Sequence, residues 1–188
     1  MTKKDILAIL KTAISLFLIC AVAAGAVAAV NAVTKDTIDA NSAAAANEAK
    51  SAVLPEAASF EDVTLSDGAV GYLGKAADGT LAGYVFTTAA SGYGGKIEIM
   101  TGFSADGAVT GVEILSIEET PGLGMNAKRD SFLSQFTGTN GDLTVIKNAA
   151  PGENEILALT SATITSRAMV KAVNAARAYY TEVSGKGE

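Results

Sequence analysis

Histidine and tryptophan are absent from the 188-residue chain, which holds one cysteine, Cys20, and three prolines. Without histidine there is no Ser-His-Asp or Cys-His triad. With one cysteine and no histidine the chain alone builds no His/Cys zinc site and no cysteine-ligated iron–sulfur cluster. An intramolecular disulfide is excluded as well. Basic residues are also scarce: 14 Lys and Arg stand against 20 Asp and Glu, for a net charge of −6 and a pI near 4.7. No basic run breaks this balance, so the electrostatic footprint of nucleic-acid binding is missing. No residue is a convincing acid–base catalyst, and no metal site is legible. Chemistry in such a chain falls to a carboxylate, a hydroxyl, an added metal or an organic cofactor.

What the chain does have is apolar surface. Hydrophobic residues make up 49% although aromatics supply only 6%, and the mean hydropathy is +0.31. One segment, 12–33, accounts for much of this: TAISLFLICAVAAGAVAAVNAV carries no formal charge. At about 1.5 Å per helical residue it covers about 33 Å, enough for a hydrocarbon core of about 30 Å. Lys3, Lys4 and Lys11 precede it with only Asp5 opposing, whereas Asp36 and Asp39 offset Lys35 behind it. The positive-inside bias puts residues 1–11 in the cytoplasm and everything after the span outside. Ala-x-Ala patterns in 21–29 leave a cleaved signal peptide open, but the apolar stretch is longer than a usual signal core. A single uncleaved anchor is the expectation, with Cys20 as small apolar filler.

Residues 34–54 are Ala-rich and of mixed charge, a composition of high helix propensity that ends before Pro55. They read as a stalk helix. Over 55–188, short alternating runs separated by Asp78-Gly79 and Asp106-Gly107 predict antiparallel strands near 70–73, 81–88, 96–103 and 108–117. Phe132, Leu133 and Phe136 stand at helical spacing before Gly138, and a strand is expected over 143–147. A last helix over 166–182 gathers Met169, Val170, Val173 and Ala176 on one face. The fold class expected is α+β, an antiparallel sheet with flanking helices.

Just before that helix, Thr160-Ser161-Ala162-Thr163-Ile164-Thr165-Ser166 places five hydroxyls in seven residues. One reading is an over-supplied helix cap, since Ser and Thr accept the free N–H groups of a first turn. The other is an anion site, because those N–H groups and the helix dipole attract phosphate. Two further motifs stand upstream. Glu119-Thr120-Pro121-Gly122-Leu123-Gly124 is followed by Phe132-Leu133-Ser134-Gln135-Phe136, and Gly92-Tyr93-Gly94-Gly95 opens a strand. Alone, the first is a Pro-Gly turn and the second a bulge or loop.

Together, in this order, the three motifs resemble the FMN-binding domains of the Rnf and sodium-pumping NADH:quinone oxidoreductase complexes. The anchor, the stalk and the length are most similar to the RnfG family, the flavin-bearing subunits of Rnf complexes. The hydroxyl-rich stretch resembles the family's S/T-G-A-T-x-T motif, whose last threonine bears FMN through a phosphoester installed by a flavin transferase. Residue by residue this makes Thr165 the acceptor, with Thr160, Ala162 and Thr163 matching and Ser166 adjoining. Ser161 stands where the family usually has glycine, a change tolerated unless the position needs positive φ. Leu157 stands where aspartate is frequent. The resemblance implies further cofactor contacts from Glu119, Thr120, Pro121, Gly122, Leu123, Gly124 and Tyr93. Lys147 is a candidate positive charge near a reduced flavin, or else a solvated strand-end lysine. The resemblance also implies partners, namely the other membrane subunits of an Rnf-type complex that passes electrons between ferredoxin and NAD while moving Na⁺ or H⁺. Two alternatives remain open: a stand-alone flavinylated carrier outside the cytoplasm, and a membrane-tethered binding or assembly module without a cofactor.

Overall fold

The computed structural model describes residues 3–185. Its first element is one helix, α1 (Lys3–Val53), and the structure divides within it into two compact units, residues 1–44 and 45–188. Residues 1–2 of the segment expected to be cytoplasmic, and residues 186–188 at the other end, lie outside the described residues; residues 3–11 belong to α1. The span and the stalk expected as separate segments are likewise one unbroken helix, since neither proline nor glycine interrupts it after Gly25. Its apolar part is fully exposed and has a mean hydropathy of 2.5 over eighteen residues, long and apolar enough to cross a membrane.

The second unit begins at residue 45, earlier than the boundary expected after residue 54. The reason is packing: Ala49, Val53 and Leu54 are buried with Val85 and Met100 in a small core of their own. Five strands follow the helix, β1 (Ser59–Thr64), β2 (Val70–Lys75), β3 (Leu81–Ser91), β4 (Lys96–Ser104) and β5 (Val109–Ile117). They pair in chain order as an antiparallel meander. Gly79 and Gly107 take the positive φ that the Asp-Gly turns between strands require. The expected strands are all present, and β1 is additional. Its sequence, SFEDVT, carries two carboxylates and lies on a sheet edge with mostly exposed residues, so no apolar alternation announced it.

The chain then forms a short 3₁₀ helix (Gly124–Lys128), α2 (Asp130–Leu133), β6 (Thr144–Ile146), β7 (Glu155–Leu157) and α3 (Thr163–Ser184). The helix expected over 130–136 keeps its regular part only to Leu133, yet Phe132 and Phe136 are both buried, edge to face at 5.5 Å. β6 falls within the expected strand and pairs in parallel with β7, which is too short to show a period. Gln135 completes that pair from outside: its Oε1 accepts the Leu157 N–H at 2.8 Å.

Helix α3 lies across one face of the sheet. Met169, Ala172, Val173 and Ala176 are fully buried against Ile97, Ile99 and Phe103, while the end of α1 covers the opposite face. Coverage on both faces explains why β3 is buried without a break from Ala82 to Phe86 before it alternates. Arg177 locks the helix from within, donating to the Gly107 carbonyl at 3.0 Å and the Thr139 carbonyl at 3.2 Å. Burial lowers its pKa from the usual arginine value. At the far end of α3 the Tyr179 hydroxyl donates to Asp67 Oδ2 at 2.7 Å.

This packing generates two expected outcomes. A side chain at Gly102 would strike the Val53 carbonyl, which also accepts from Thr110 Oγ1 at 2.5 Å. Gly102→Ala is therefore expected to lower stability by about 1–3 kcal/mol through overpacking, read as a fall in the thermal midpoint of the solubilised chain. The second concerns pH. The hydrogen bond lowers Asp67 below its ordinary 3.8 and raises Tyr179 above its ordinary 10.0. Its contribution is complete between those values. It is lost on the acid side as pH falls through the lowered Asp67 pKa, and on the alkaline side as pH rises through the raised Tyr179 pKa. Denaturant titrations are expected to show a constant stability gap between wild type and Tyr179→Phe from pH 3.8 to 10.0, closing outside it.

Candidate functional site

The three motifs meet at the N-terminal end of α3. Residues 92–95 turn from β3 into β4, with the Gly92 N–H donating to the Gly95 carbonyl at 2.7 Å. Gly94 lies against the Glu118 carbonyl, which brings this turn onto the end of β5. The chain leaving β5 then folds back on itself: the N–H groups of Leu123 and Met125 both donate to the Thr120 carbonyl, at 3.1 and 3.2 Å. Gly122 supplies the positive φ for that bend, and its carbonyl accepts from Asn126 Nδ2 at 2.7 Å.

Helix α3 starts earlier than expected, at Thr163 rather than Ser166, so Thr163, Ile164 and Thr165 form its first turn. Ala162 occupies the cap position and no side chain caps the helix. The hydroxyl-rich stretch is thus not spent on capping. The first intrahelical bond runs from the Ser166 N–H to the Ala162 carbonyl at 3.0 Å, which leaves the N–H groups of Thr163, Ile164 and Thr165 free. No acidic residue sits in this turn to neutralise them. Ser166 is buried and structural: its hydroxyl accepts the Leu159 N–H at 2.9 Å and donates to the Ala162 carbonyl at 3.1 Å.

A cleft of about 430 Å³ opens here, within the range of small-molecule sites. Tyr93, Glu119, Thr120, Leu123 and Gly124 form one side, and Ser161, Ala162, Thr163, Ile164 and Thr165 the other. Its rim is apolar and open. Tyr93 is 74% exposed, Ile164 51% and Leu123 41%. Its floor is polar and closed: Thr165 is 1% exposed and Glu119 9%. Glu119 Oε1 accepts the Tyr93 N–H at 2.7 Å, tying the two upstream motifs together. Among the described residues nothing bonds to the Thr165 hydroxyl.

Gly124 makes this floor possible. A side-chain carbon there would lie 2.6 Å from Glu119 Oε2 and 2.7 Å from Thr165 Oγ1. Of the other residues named from the sequence, Pro121 and Gly122 shape the loop without lining the cleft. Thr160 and Lys147 line a neighbouring cleft of about 590 Å³, which shares Ser161 and Thr163 with the first. Leu157 lines it too, at the end of β7. Sequence reasoning missed Ile164, whose signal was an apolar residue in the first turn of a helix, between two threonines.

Ser161 adopts φ 61°, the left-handed region. The glycine usual in the related motif at this place thus has a steric reason, and serine holds a conformation that costs a side-chain-bearing residue about 1–2 kcal/mol.

The residues fit a flavin nucleotide: free N–H groups for a phosphate, an unpartnered hydroxyl beside them, and apolar side chains for a flat ring. This fold and cleft define an FMN-binding domain, and residues 92–178, which span all three motifs, match the FMN-binding domain family. Residues 1–53 match the RnfG N-terminal region. The chain is 38% identical to the G subunit of the Na⁺-translocating ferredoxin:NAD⁺ oxidoreductase complex of Acetobacterium woodii, over 94% of this chain and 93% of that one. It is 43% identical to the G subunit of the proton-translocating ferredoxin:NAD⁺ oxidoreductase complex of Clostridium ljungdahlii, over 61% of each. The crystal structure of Shewanella oneidensis NqrC shares the fold, with a TM-score of 0.52 at 18% identity over 62% of this chain and 64% of that one. The chain belongs to the RnfG family, whose members are subunits of ion-translocating oxidoreductase complexes.

Relieving the left-handed serine is expected to be measurable. Ser161→Gly raises stability by about 0.5–1 kcal/mol, the part of the steric cost left after glycine's added chain entropy. Ser161→Val, β-branched at positive φ, lowers it. Denaturant midpoints of the three chains check the order.

Proposed function

We propose that this chain is an electron-relay subunit that carries FMN joined through its phosphate to Oγ1 of Thr165. One observation carries the reading: Thr165, a residue 1% exposed whose hydroxyl has no partner among the described residues, stands in the wall of a cleft with an apolar rim. A hydroxyl without a protein partner at the wall of a cleft is available, as donor or acceptor, to whatever occupies it. FMN, when bound, takes up and releases electrons one or two at a time.

The chain's own part is holding and tuning. The N–H groups of Thr163, Ile164 and Thr165, at the positive end of the α3 dipole, hold the phosphate. Leu123, Ile164 and Tyr93 supply apolar surface for the ring, with Thr120 and Ala162 beside them. Lys147 and Thr160, across Ser161 and Thr163, add positive potential and a hydroxyl on the phosphate side. Covalent attachment suits a domain outside the cytoplasm, where a lost cofactor is not replaced from a pool. The positive-inside pattern of Lys3, Lys4 and Lys11 supports that orientation, with α1 as a single uncleaved anchor among the helices of partner subunits. Kinship to ferredoxin:NAD⁺ oxidoreductase subunits supports a relay within such a complex, with no independent catalysis by this chain. The two relatives are named for different ions, Na⁺ and protons.

The test is intact-mass analysis and peptide mapping of the chain co-expressed with a flavin transferase. An FMN-sized increment on the peptide holding Thr165, absent in Thr165→Ala, is expected. An unmodified, colourless wild-type chain beside an active transferase overturns the covalent reading and favours a binding or assembly module.

A further inference from the structure

Glu119 is 9% exposed, and its two carboxylate oxygens have different surroundings. Oε1 accepts the Tyr93 N–H at 2.7 Å. Oε2 has no hydrogen-bond partner among the described residues, and it lies beside Gly124, where an added side-chain carbon would stand 2.6 Å from it. Among the described residues, the side-chain polar atoms sealed from solvent without a partner are Thr101 Oγ1, Arg177 Nε and Ser184 Oγ. Oε2 is not one of them. This one oxygen of an otherwise buried residue is therefore open to the cleft that Glu119 and Gly124 both line.

The wall around it holds no cation. Only Glu119 and Tyr93 are titratable there, and no lysine or arginine joins them. Lys147 lines the neighbouring cleft, and Glu118 turns its Oε2 against Gly95. The one ion pair among the described residues, Lys75–Glu61, joins β2 to β1. Positive potential in the cleft comes from the free N–H groups at the start of α3, and a phosphate joined to Thr165, singly negative as a diester, offsets it. A ring in the rest of the cleft then meets apolar side chains and one carboxylate. Because that carboxylate is largely withdrawn from water, its charge acts more strongly than it would in solvent.

We propose that the Glu119 carboxylate holds the flavin midpoint down; this rests on the reading that FMN is carried on Thr165. Reduction of the oxidised ring by two electrons and one proton leaves one negative charge on the ring, and a second proton removes it. A carboxylate in the wall opposes the charged product, so electrons enter the ring less readily and leave it more readily. Anchoring the Tyr93 turn is a separate role. It needs one carbonyl-type oxygen, which glutamine offers as well as glutamate, so substitution by glutamine removes the charge and keeps the anchor.

The experiment is an anaerobic titration of the full-length flavinylated chain in detergent with dithionite, beside a reference dye of known potential. Flavin and dye absorbance report both ratios at neutral pH. At a fixed dye ratio, Glu119→Gln is expected to raise the ratio of reduced to oxidised flavin at least about tenfold, which is about 30 mV for a two-electron couple. Glu119→Asp keeps the charge and is expected to stay closer to wild type than to the glutamine variant. An anchoring role alone leaves the glutamine midpoint where wild type has it, and that result overturns the proposal. An equal shift in the aspartate variant also overturns it, by tracing the effect to side-chain geometry. So does a glutamine chain that stays colourless beside flavinylated wild type, because the carboxylate then serves attachment. A wild-type chain that takes up no flavin sinks the Thr165 reading itself.

Discussion

Everything in the cleft depends on the missing side chain of Gly124. A buried carboxylate from the end of β5 and a buried hydroxyl from the first turn of α3 both press on that one α-carbon. A side-chain carbon there would lie 2.6–2.8 Å from Glu119 Oε2, Thr165 Oγ1 and Glu119 Cβ, so those side chains would have to shift. The arrangement is held at a distance by the large core, in which Met169, Ala172, Val173 and Ala176 of α3 are fully buried. The floor is positioned by a packed helix, and it is open because one residue has no side chain. Such an order, with a stiff framework and a pre-shaped site at its edge, lets a cofactor be oriented by few direct contacts.

The rim answers to different physics. Tyr93, Leu123 and Ile164 are large, apolar and exposed, on three segments that are distant in sequence. Exposed apolar residues scattered singly carry no message, but three around one cleft do. A flat ring inserted among them buries surface that is otherwise in water. The polar partners are concentrated at the helix end. The cleft is thus divided between an apolar mouth and a polar floor, the division that a molecule with a flat ring at one end and a phosphate at the other requires.

Local chemistry made much of the fold legible. Asp-Gly turns marked the hairpins, and the 3.6-residue pattern marked the buried face of α3. The elements missed were those whose structure is decided by tertiary contacts. β1 is a charged edge strand, and β7 is three residues long, completed by Gln135 from another segment. That the compact unit starts at residue 45, inside the helix, was not legible for a related reason. Ala49 and Val53 look like any other residues of an Ala-rich helix, and only the far face of the sheet makes them core.

The site shows the same limit more sharply. The residue types that matter were visible in the three motifs, but the hydroxyls first suggested helix capping. The structure removes that reading by starting the helix at Thr163, which turns potential caps into first-turn residues. It also separates residues that proximity in sequence had grouped. Ser166 is spent on the backbone, Thr160 and Lys147 face the neighbouring cleft, and Thr165 alone combines burial, an unengaged hydroxyl and a carboxylate across Gly124. Spacing along the chain reported which hydroxyls were available. Which one is buried in the wall of the cleft depended on where the turn of helix began, and a single-residue shift in that start would have presented a different side chain there.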